Sequence, residues 1–223
     1  MNDLVPAFEN SLLETPIVDI VAEYAELSID SLLSNDTLKE FPIVKTFIGL
    51  GNIAYNMHTR NMLKQTITFI NEFNKGIIDP NKKERYRKKL QANPRKSEEE
   101  LGRVLILLDR NIDKMKSVFE AKFFRAYINE IISWNEFCEL CDITDRLFIS
   151  DIAILQVAYG NNGIKIKSGI TYQHDRLSSV GLLENKIRYY GGVEFVDFND
   201  ERNQTYMKLS NIGELFCRLG FEE

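Results

Sequence analysis

The stretch 172–184, YQHDRLSSVGLLE, decides the predicted fold of the C-terminal third of the chain. Its apolar residues recur at helical spacing until Gly181, a residue type that favours helix ends. The pattern therefore predicts a helix that begins near Tyr172 and stops at Gly181. The segments that follow predict a strand at Gly192–Phe198 (GVEFVDF), a polar turn at Asn199–Asn203 (NDERN), a strand at Gln204–Leu209 (QTYMKL) and a helix at Ser210–Phe221 (SNIGELFCRLGF).

A sparse motif runs through this region, with an arginine-leucine pair, a glycine-leucine pair and a tyrosine-x-leucine-serine run that ends in glycine. Its residues are Arg176, Leu177, Gly181, Leu182, Tyr206, Leu209, Ser210 and Gly213. The motif resembles the tail of winged-helix regulators of the MarR and PadR type, over roughly a third of the chain. The resemblance implies that 171–180 is the helix that enters a DNA groove and that 199–203 is the tip of the wing.

The region also departs from the winged-helix pattern. A complete module has a further helix before the groove-entering one, but 160–170 is typical of a strand or loop. The wing carries three carboxylates against Arg202 alone, and carboxylates oppose DNA phosphates. We therefore favour a winged helix that packs on protein over one that reads DNA. The residues on the helix that would contact bases or phosphates are Gln173, His174 and Arg176.

Helix-start signals organise the N-terminal region. Asp79-Pro80 predicts a helix that runs to about Ala92. Two capping boxes, Ser97-Glu-Glu-Glu100 and Ser133-Trp-Asn-Glu136, predict the next two starts. The apolar spacing after the first box predicts one long helix that continues to Ile128.

The fold class predicted for the whole chain is mainly α. A helical bundle of about five helices over residues 1–148 precedes a winged-helix-like α+β domain over 149–223. The composition, with 44% hydrophobic and 27% charged residues, is that of a globular protein and excludes global disorder.

Residues 82–96 (KKERYRKKLQANPRK) hold eight Lys or Arg residues and one Glu, a local charge of +7 in a chain of net charge −5. On a helix, Tyr86 lies among these cations, where it would stack on a base or sit at a lipid interface. A functional segment would bind an anionic surface: nucleic acid, acidic lipid or acidic protein. The alternative is a solvated helix face, compensated by the acidic remainder. The candidate contacts are Lys82, Lys83, Arg85, Tyr86, Arg87, Lys88, Lys89, Arg95 and Lys96.

The cysteines do not form a disulfide scaffold, since three is an odd number, and we expect reduced thiols in a cytoplasmic protein. Cys138 and Cys141 form a C-x-x-C pair inside a predicted helix, without the strand–helix setting of thioredoxins. Together with Cys217 and His174 they make a Cys₃His zinc set arithmetically. Burial as small core residues is favoured instead, and neither a metal nor a cofactor is expected.

No catalytic motif is present, and the acidic pairs Asp109/Asp113 and Asp142/Asp145 are typical of solvated helices. We therefore expect no enzyme activity. The apolar run Phe41–Met57 (FPIVKTFIGLGNIAYNM) would enter a membrane or form a central helix of the bundle. Three polar residues in a run this short favour the buried helix. The first fifteen residues carry no basic or apolar signal segment.

The predicted function is that of a non-enzymatic interaction or regulatory protein that binds a protein partner. The Asn-, Lys- and Ile-rich composition is typical of low-GC Gram-positive bacteria and their phages, where such a protein would act in phage–host conflict. One alternative is a DNA-binding transcriptional regulator that uses the winged helix and the basic segment 82–96. Another is a membrane-associated effector that uses 41–57. Self-association of the chain stays open.

Overall fold

The computed structural model describes residues 3–14, 30, 34–50, 56–161, 163–166, 171–186 and 205–222. The chain divides into two compact units, Met1–Asp145 and Arg146–Glu223. The described residues are mainly helical and include one small antiparallel sheet, so the predicted helical class is confirmed.

Helices make up the described secondary structure from residue 3 to residue 146. Their starts follow local cap chemistry where the sequence supplies it. The Asp79 carboxylate accepts hydrogen bonds from the backbone N–H groups of Asn81 (2.8 Å) and Lys82 (3.2 Å), which confirms the predicted start at Pro80. The helices are α1 (Leu4–Leu13), α2 (Asp36–Lys39), α3 (Pro42–Gly49), α4 (Met57–Lys75), α5 (Pro80–Ala92), α6 (Pro94–Arg110), α7 (Lys114–Ile128) and α8 (Trp134–Arg146).

The two predicted capping boxes have different outcomes. At α8 the box is formed, because the Ser133 N–H donates to Glu136 Oε2 at 2.6 Å and the Glu136 N–H donates to Ser133 Oγ at 3.2 Å. The prediction for Ser97 is wrong, since α6 begins one turn earlier with Pro94 in its first turn. Asn93 is the N-cap there, and its side chain accepts from the Lys96 N–H at 3.3 Å. Asn93 supplies the N-cap, and Pro94 has a backbone φ angle that already suits the first helical turn. The helix therefore begins here and not at Ser97.

Ser97 has a packing role instead of a capping role. Its hydroxyl donates to Glu9 Oε2 at 2.7 Å and so joins α6 to α1. Helix α1 also packs against α3 and α4. Phe8 of α1 is fully buried, with its ring centroid 5.8 Å from that of Phe69 on α4. The N-terminal helix is therefore part of the core of the first unit.

The predicted long helix from Ser97 to Ile128 is wrong, because the chain leaves the helix between Arg110 and Lys114. Asn111, only 2% exposed, occupies the break. Its side-chain amide donates to Ser117 Oγ (3.1 Å) and Glu120 Oε2 (2.7 Å), both on α7. Buried polar groups need hydrogen-bond partners. The Asn111 amide reaches its partners on α7 because the chain turns at this residue, which a continuous helix would not do.

The apolar run Phe41–Met57 contributes to the core through α3. Ile43, Val44 and Phe47 are at most 1% exposed, which confirms the buried-helix interpretation for this part of the run. Residues 51–55 lie outside the described residues, and the next helix begins at Met57. Among the helices described, none combines the length and the apolar character required to cross a bilayer.

The second unit combines helices with a three-stranded antiparallel sheet. Strand β3 is central, with Ile164 of β1 opposite Met207 and Leu183 of β2 opposite Leu209. The predicted strand Gly192–Phe198 and the turn Asn199–Asn203 lie outside the described residues. The described elements are α9 (Ile149–Gly160), β1 (Ile164–Ile166), α10 (Tyr172–Ser179), β2 (Leu183–Lys186), β3 (Thr205–Leu209) and α11 (Asn211–Phe221).

Two glycines of the motif allow the close packing of this unit. Gly181 follows α10 at φ +81°, a left-handed conformation that L side chains rarely adopt. Gly213, in the first turn of α11, lies so close to Leu182 that a Cβ there would be 2.1 Å from its carbonyl oxygen. The Ser210 hydroxyl accepts from the Gly213 N–H at 3.0 Å and caps α11. The helix predicted at the C-terminus is confirmed.

Candidate functional site

The basic segment, residues 82–96, lies on α5 and the first turn of α6. Its cations are arranged in pairs, because each of three glutamates lies within ion-pair distance of two of them. The pairs are Lys82 (4.0 Å) and Arg85 (3.4 Å) on Glu130, Arg87 (2.9 Å) and Lys88 (3.6 Å) on Glu84, and Lys89 (3.7 Å) and Lys96 (3.3 Å) on Glu100. This pairing reduces the positive potential that a polyanion would meet.

Lys83 and Arg95 are the two cations of the segment that have no ion pair among the described residues. Arg95 is exposed, whereas Lys83 is half-buried, and burial lowers the pKa of its ammonium group. Lys83 lines an open cavity of about 440 Å³. The other residues of the cavity wall are Leu13, Glu14, Pro80, Glu84 and Arg87.

Tyr86 is not available to stack on a base or to enter a lipid interface, so this part of the prediction is wrong. It is 6% exposed, and its ring lies edge-on to those of Phe124 and Tyr127 at 6.0 and 5.8 Å. Its hydroxyl donates to Glu100 Oε2 at 2.9 Å. Burial raises the pKa of Tyr86 well above its usual value. Tyr86 and Leu90 form the inward face of α5, which leaves the cations on the outward face.

Glu100 is the centre of a cluster that sequence reasoning did not identify. Its side chain is 4% exposed, yet it accepts hydrogen bonds from the hydroxyls of Tyr86 (2.9 Å) and Tyr127 (3.1 Å). The ammonium groups of Lys89 and Lys96 both approach Glu100 Oε1. The Lys96–Glu100 spacing of one helical turn is a sequence signal for one of these contacts. The contacts from α5 and α7 have no such signal.

Lys89 is the most constrained cation of this cluster. Its ammonium group lies 5.7 Å from the ring centroids of both Tyr86 and Tyr127, and 3.2 Å from the Tyr127 hydroxyl. Burial lowers its pKa, Glu100 opposes that effect, and the neighbouring Lys96 lowers the pKa further. The neighbouring aromatic rings continue through Trp134, whose centroid is 5.3 Å from that of Tyr127.

On α10, the predicted contact Arg176 is held within its own unit. Its Nε and Nη2 donate to the two carboxylate oxygens of Asp151 at 2.7 and 2.5 Å, and Asp151 is fully buried. A bidentate pair of this kind is strong and fixes the guanidinium plane. The two groups of predicted contacts, 82–96 and 173–176, fall in different units.

The other two predicted contacts on α10 are half-buried. His174 Nδ1 accepts from the Thr171 N–H at 3.3 Å and lies 2.7 Å from Thr171 Oγ1, so the ring caps its own helix. Gln173 has no described hydrogen bond to another side chain. Partial burial of both side chains gives no support to a surface that contacts DNA bases.

Two exposed aromatic residues beside Arg176 were not identified from the sequence. Phe148 is 61% exposed and Tyr172 is 72% exposed, and Ile149 next to them is 45% exposed. The Arg176 guanidinium carbon lies 4.4 Å from the Phe148 ring centroid and 5.5 Å from that of Tyr172. We name Phe148, Ile149 and Tyr172 the aromatic patch. Asp151 holds Arg176 beside these rings, and no local sequence pattern connects Asp151 to Arg176.

Glu120 is a second buried carboxyl group of the first unit, with 1% exposure. Burial raises its pKa to about 8, the hydrogen bond from Asn111 opposes this, and Asp145 raises it further. Lys116 and Arg110 act weakly in the opposite direction. The group is therefore protonated at neutral pH, enclosed in the α6–α7 break and away from solvent.

The cysteines occupy core or near-core positions. Cys141 and Cys217 are fully buried, and Cys138 is half-buried. Burial raises the pKa of Cys217 to about 12 and that of Cys141 well above its usual value. In the part of the chain that the structure describes, no three His, Cys, Asp or Glu side chains are grouped to hold a metal ion.

Comparison of the sequence with protein-family models, with curated proteins and with solved structures found no match.

Proposed function

We propose that this chain is a non-enzymatic interaction protein that binds a protein partner through the aromatic patch of its second unit. The observation that carries the proposal is the exposure of Phe148 (61%) and Tyr172 (72%), whose rings both lie next to the Arg176 guanidinium. Exposed rings of this kind lose water-contacting apolar area on binding, which contributes about 25 cal/mol per Å². Aromatic residues and arginine are also the side chains enriched at binding hot spots.

The charge state of the patch favours protein over nucleic acid. The Arg176 Nε and Nη2 both donate to the Asp151 carboxylate, so the guanidinium charge is paired and its orientation is fixed. A phosphate would have to compete with a fully buried carboxylate for this cation. The patch therefore presents exposed aromatic rings beside a cation whose charge is paired within the unit, which suits an apolar protein surface and not a polyanion.

The proposal is tested by affinity capture with matched variants, followed by titration of the purified partner. We expect wild type to retain a partner that the double variant Phe148→Ser/Tyr172→Ser loses, because the ring faces are removed. Ile77→Ser is the control, since Ile77 is 92% exposed but lies in the first unit. Equal retention by the double variant and the control, with both folded by circular dichroism, would contradict the proposal.

A DNA-binding regulator is the second candidate, and the element order of the second unit supports it. Helix α10, strands β2 and β3 and helix α11 follow one another in the order of a winged helix, with β2 and β3 antiparallel. Strand β2 (Leu183–Lys186) precedes the strand predicted at Gly192–Phe198, which lies outside the described residues. This candidate predicts binding to mixed-sequence duplex DNA that weakens steeply with salt. It also predicts loss of binding on changing Lys88 and Lys89 to Glu. Fluorescence anisotropy at two salt concentrations decides the question, since the protein-binding proposal predicts no binding even at low salt.

A further inference from the structure

We infer that Lys89 and Lys96, held together on Glu100, form a binding site for a phosphate group. The site is independent of the aromatic patch and lies in the first unit. It is assembled from α5, α6 and α7, so its geometry depends on the packed core and not on a single helix.

The charge balance at Glu100 is the first reason for this inference. Both ammonium groups approach the same oxygen, Oε1, at 3.7 Å (Lys89) and 3.3 Å (Lys96). Glu100 is the one carboxylate within ion-pair distance of both ammonium groups among the described residues, so the two positive charges share a single close negative charge, with Glu99 acting on Lys96 from further away. The two lysine side chains are 44% and 34% exposed, so each reaches solvent while the carboxylate between them, at 4%, does not. An anion arriving from solvent would meet the ammonium groups first.

The second reason is that the site is already in place before a ligand binds. Lys89 is held over the rings of Tyr86 and Tyr127 and close to the Tyr127 hydroxyl. Lys96 is held by its helical spacing to Glu100. Lysine side chains lose much rotamer freedom when they bind, and these contacts place part of that loss on folding.

The chemistry of the pair points to a compact dianion. Each ammonium group has three donors, and Glu100 uses only part of them. A phosphate monoester or inorganic phosphate carries close to two charges on one tetrahedral centre, which matches two adjacent ammonium groups better than a single carboxylate does. A DNA backbone instead requires a continuous track of cations. The neighbouring cations do not extend the site into such a track, because their carboxylates are themselves exposed, Glu130 at 54% and Glu84 at 42%, and would repel an arriving anion, whereas Glu100 at 4% would not. These cations are Lys82, Arg85, Arg87 and Lys88.

Isothermal titration calorimetry with inorganic phosphate at constant ionic strength tests the site. We expect Lys89→Gln and Lys96→Gln each to weaken phosphate binding about tenfold or more. Lys88→Gln is the matched control, because it removes one positive charge from the same helix at a lysine paired with Glu84. It should change the affinity by less than about twofold.

Glu100→Gln gives a result of opposite sign, provided that circular dichroism shows it folded. It removes the competing negative charge but keeps an amide oxygen that the two ammonium groups can approach, so the pair stays in place and phosphate should bind more tightly. If this variant does not fold, the two lysine variants and their control still decide the question. Absence of phosphate binding by wild type, or equal weakening by Lys88→Gln and Lys96→Gln, would overturn the inference.

Two further arms identify the source of the phosphate. Vesicles that contain phosphatidic acid, compared with phosphatidylcholine alone, test a lipid headgroup, and binding that Lys96→Gln abolishes would place the phosphate on a lipid. Inorganic phosphate binding without vesicle binding would assign a soluble ligand. Duplex DNA that displaces inorganic phosphate from wild type, and depends on Lys89 and Lys96 in the same way, would overturn the assignment to a compact phosphate.

Discussion

Glu100 and Glu120 are both buried in the first unit, but their surroundings differ in kind. Glu100 accepts hydrogen bonds from two tyrosine hydroxyls and lies beside two ammonium groups. Glu120 has one hydrogen-bond donor among the described residues, the Asn111 amide, and burial raises its pKa to about 8. Equal burial therefore produces two different groups. The donors that reach a carboxyl, more than its depth, decide whether it organises a cluster or holds a proton.

The largest expected effect comes from replacing Glu100, the carboxyl group that several donors reach. Glu100→Ala leaves the buried Tyr86 hydroxyl without its acceptor and two lysines without their carboxylate. We expect the free energy of unfolding to fall by about 3 kcal/mol, measured by urea denaturation. Glu84→Ala is the control, since Glu84 also serves two cations but is solvent-exposed, and it should leave the midpoint nearly unchanged. A loss at Glu100 no larger than at Glu84 would show that burial adds nothing to the cluster.

The next effect is the pH dependence that Glu120 imposes on stability. The unfolded chain releases this proton near its ordinary pKa of 4.5, whereas the folded protein keeps it until about pH 8. Folding therefore retains a proton across this window, and stability contributed by Glu120 falls as the pH rises from 4.5 to 8. The slope approaches about 1.4 kcal/mol per pH unit at most.

Glu120→Gln isolates this contribution, because the amide oxygen still accepts from Asn111 and the side chain no longer titrates. We expect its free energy of unfolding to vary less with pH than that of wild type, with the greatest gain over wild type near pH 8. Urea denaturation at pH 5, 6.5 and 8 measures both curves. Parallel curves for the two proteins would mean that Glu120 is already ionised in the folded state at pH 5.

The smallest effect concerns a single donor of the Glu100 cluster. Tyr86→Phe removes one hydroxyl and keeps the ring, while Tyr127, Lys89 and Lys96 still reach the carboxylate. We expect a loss of about 1 kcal/mol in the free energy of unfolding. Chemical denaturation of wild type and variant gives the difference. A loss as large as that of Glu100→Ala would show that the cluster depends on this one bond and not on several donors.

Local chemistry explains which helix boundaries were predictable. Asp79-Pro80 and Ser133-Glu136 act within one turn, and both predictions are confirmed by cap hydrogen bonds. Ser97-Glu100 has the same letters as the second box, but Asn93-Pro94 begins the helix first and frees Ser97 and Glu100 for contacts with other helices. The break at Asn111 was not predictable for a related reason, since its partners Ser117 and Glu120 become relevant only when the helices pack.

The candidate site was predictable in composition but not in arrangement. The basic segment is evident from its charge, and so is its helix. Its pairing is not, because Glu130 lies 45 or more residues from Lys82 and Arg85, and only packing brings the three together. The same holds for Asp151 and Arg176 in the second unit. A sequence pattern shows which charges lie along one helix. The net charge that a binding partner meets also depends on carboxylates that other helices contribute.

The hydrogen bond from Ser97 to Glu9 joins residues 88 positions apart and has a consequence for synthesis of the protein. Helix α1 is translated before its partners in α4 and α6. At roughly 5–20 residues per second, Phe8 and its apolar neighbours wait several seconds for the helices that cover them. During that interval the nascent chain exposes the apolar face of α1, and such transiently exposed surface is prone to aggregation.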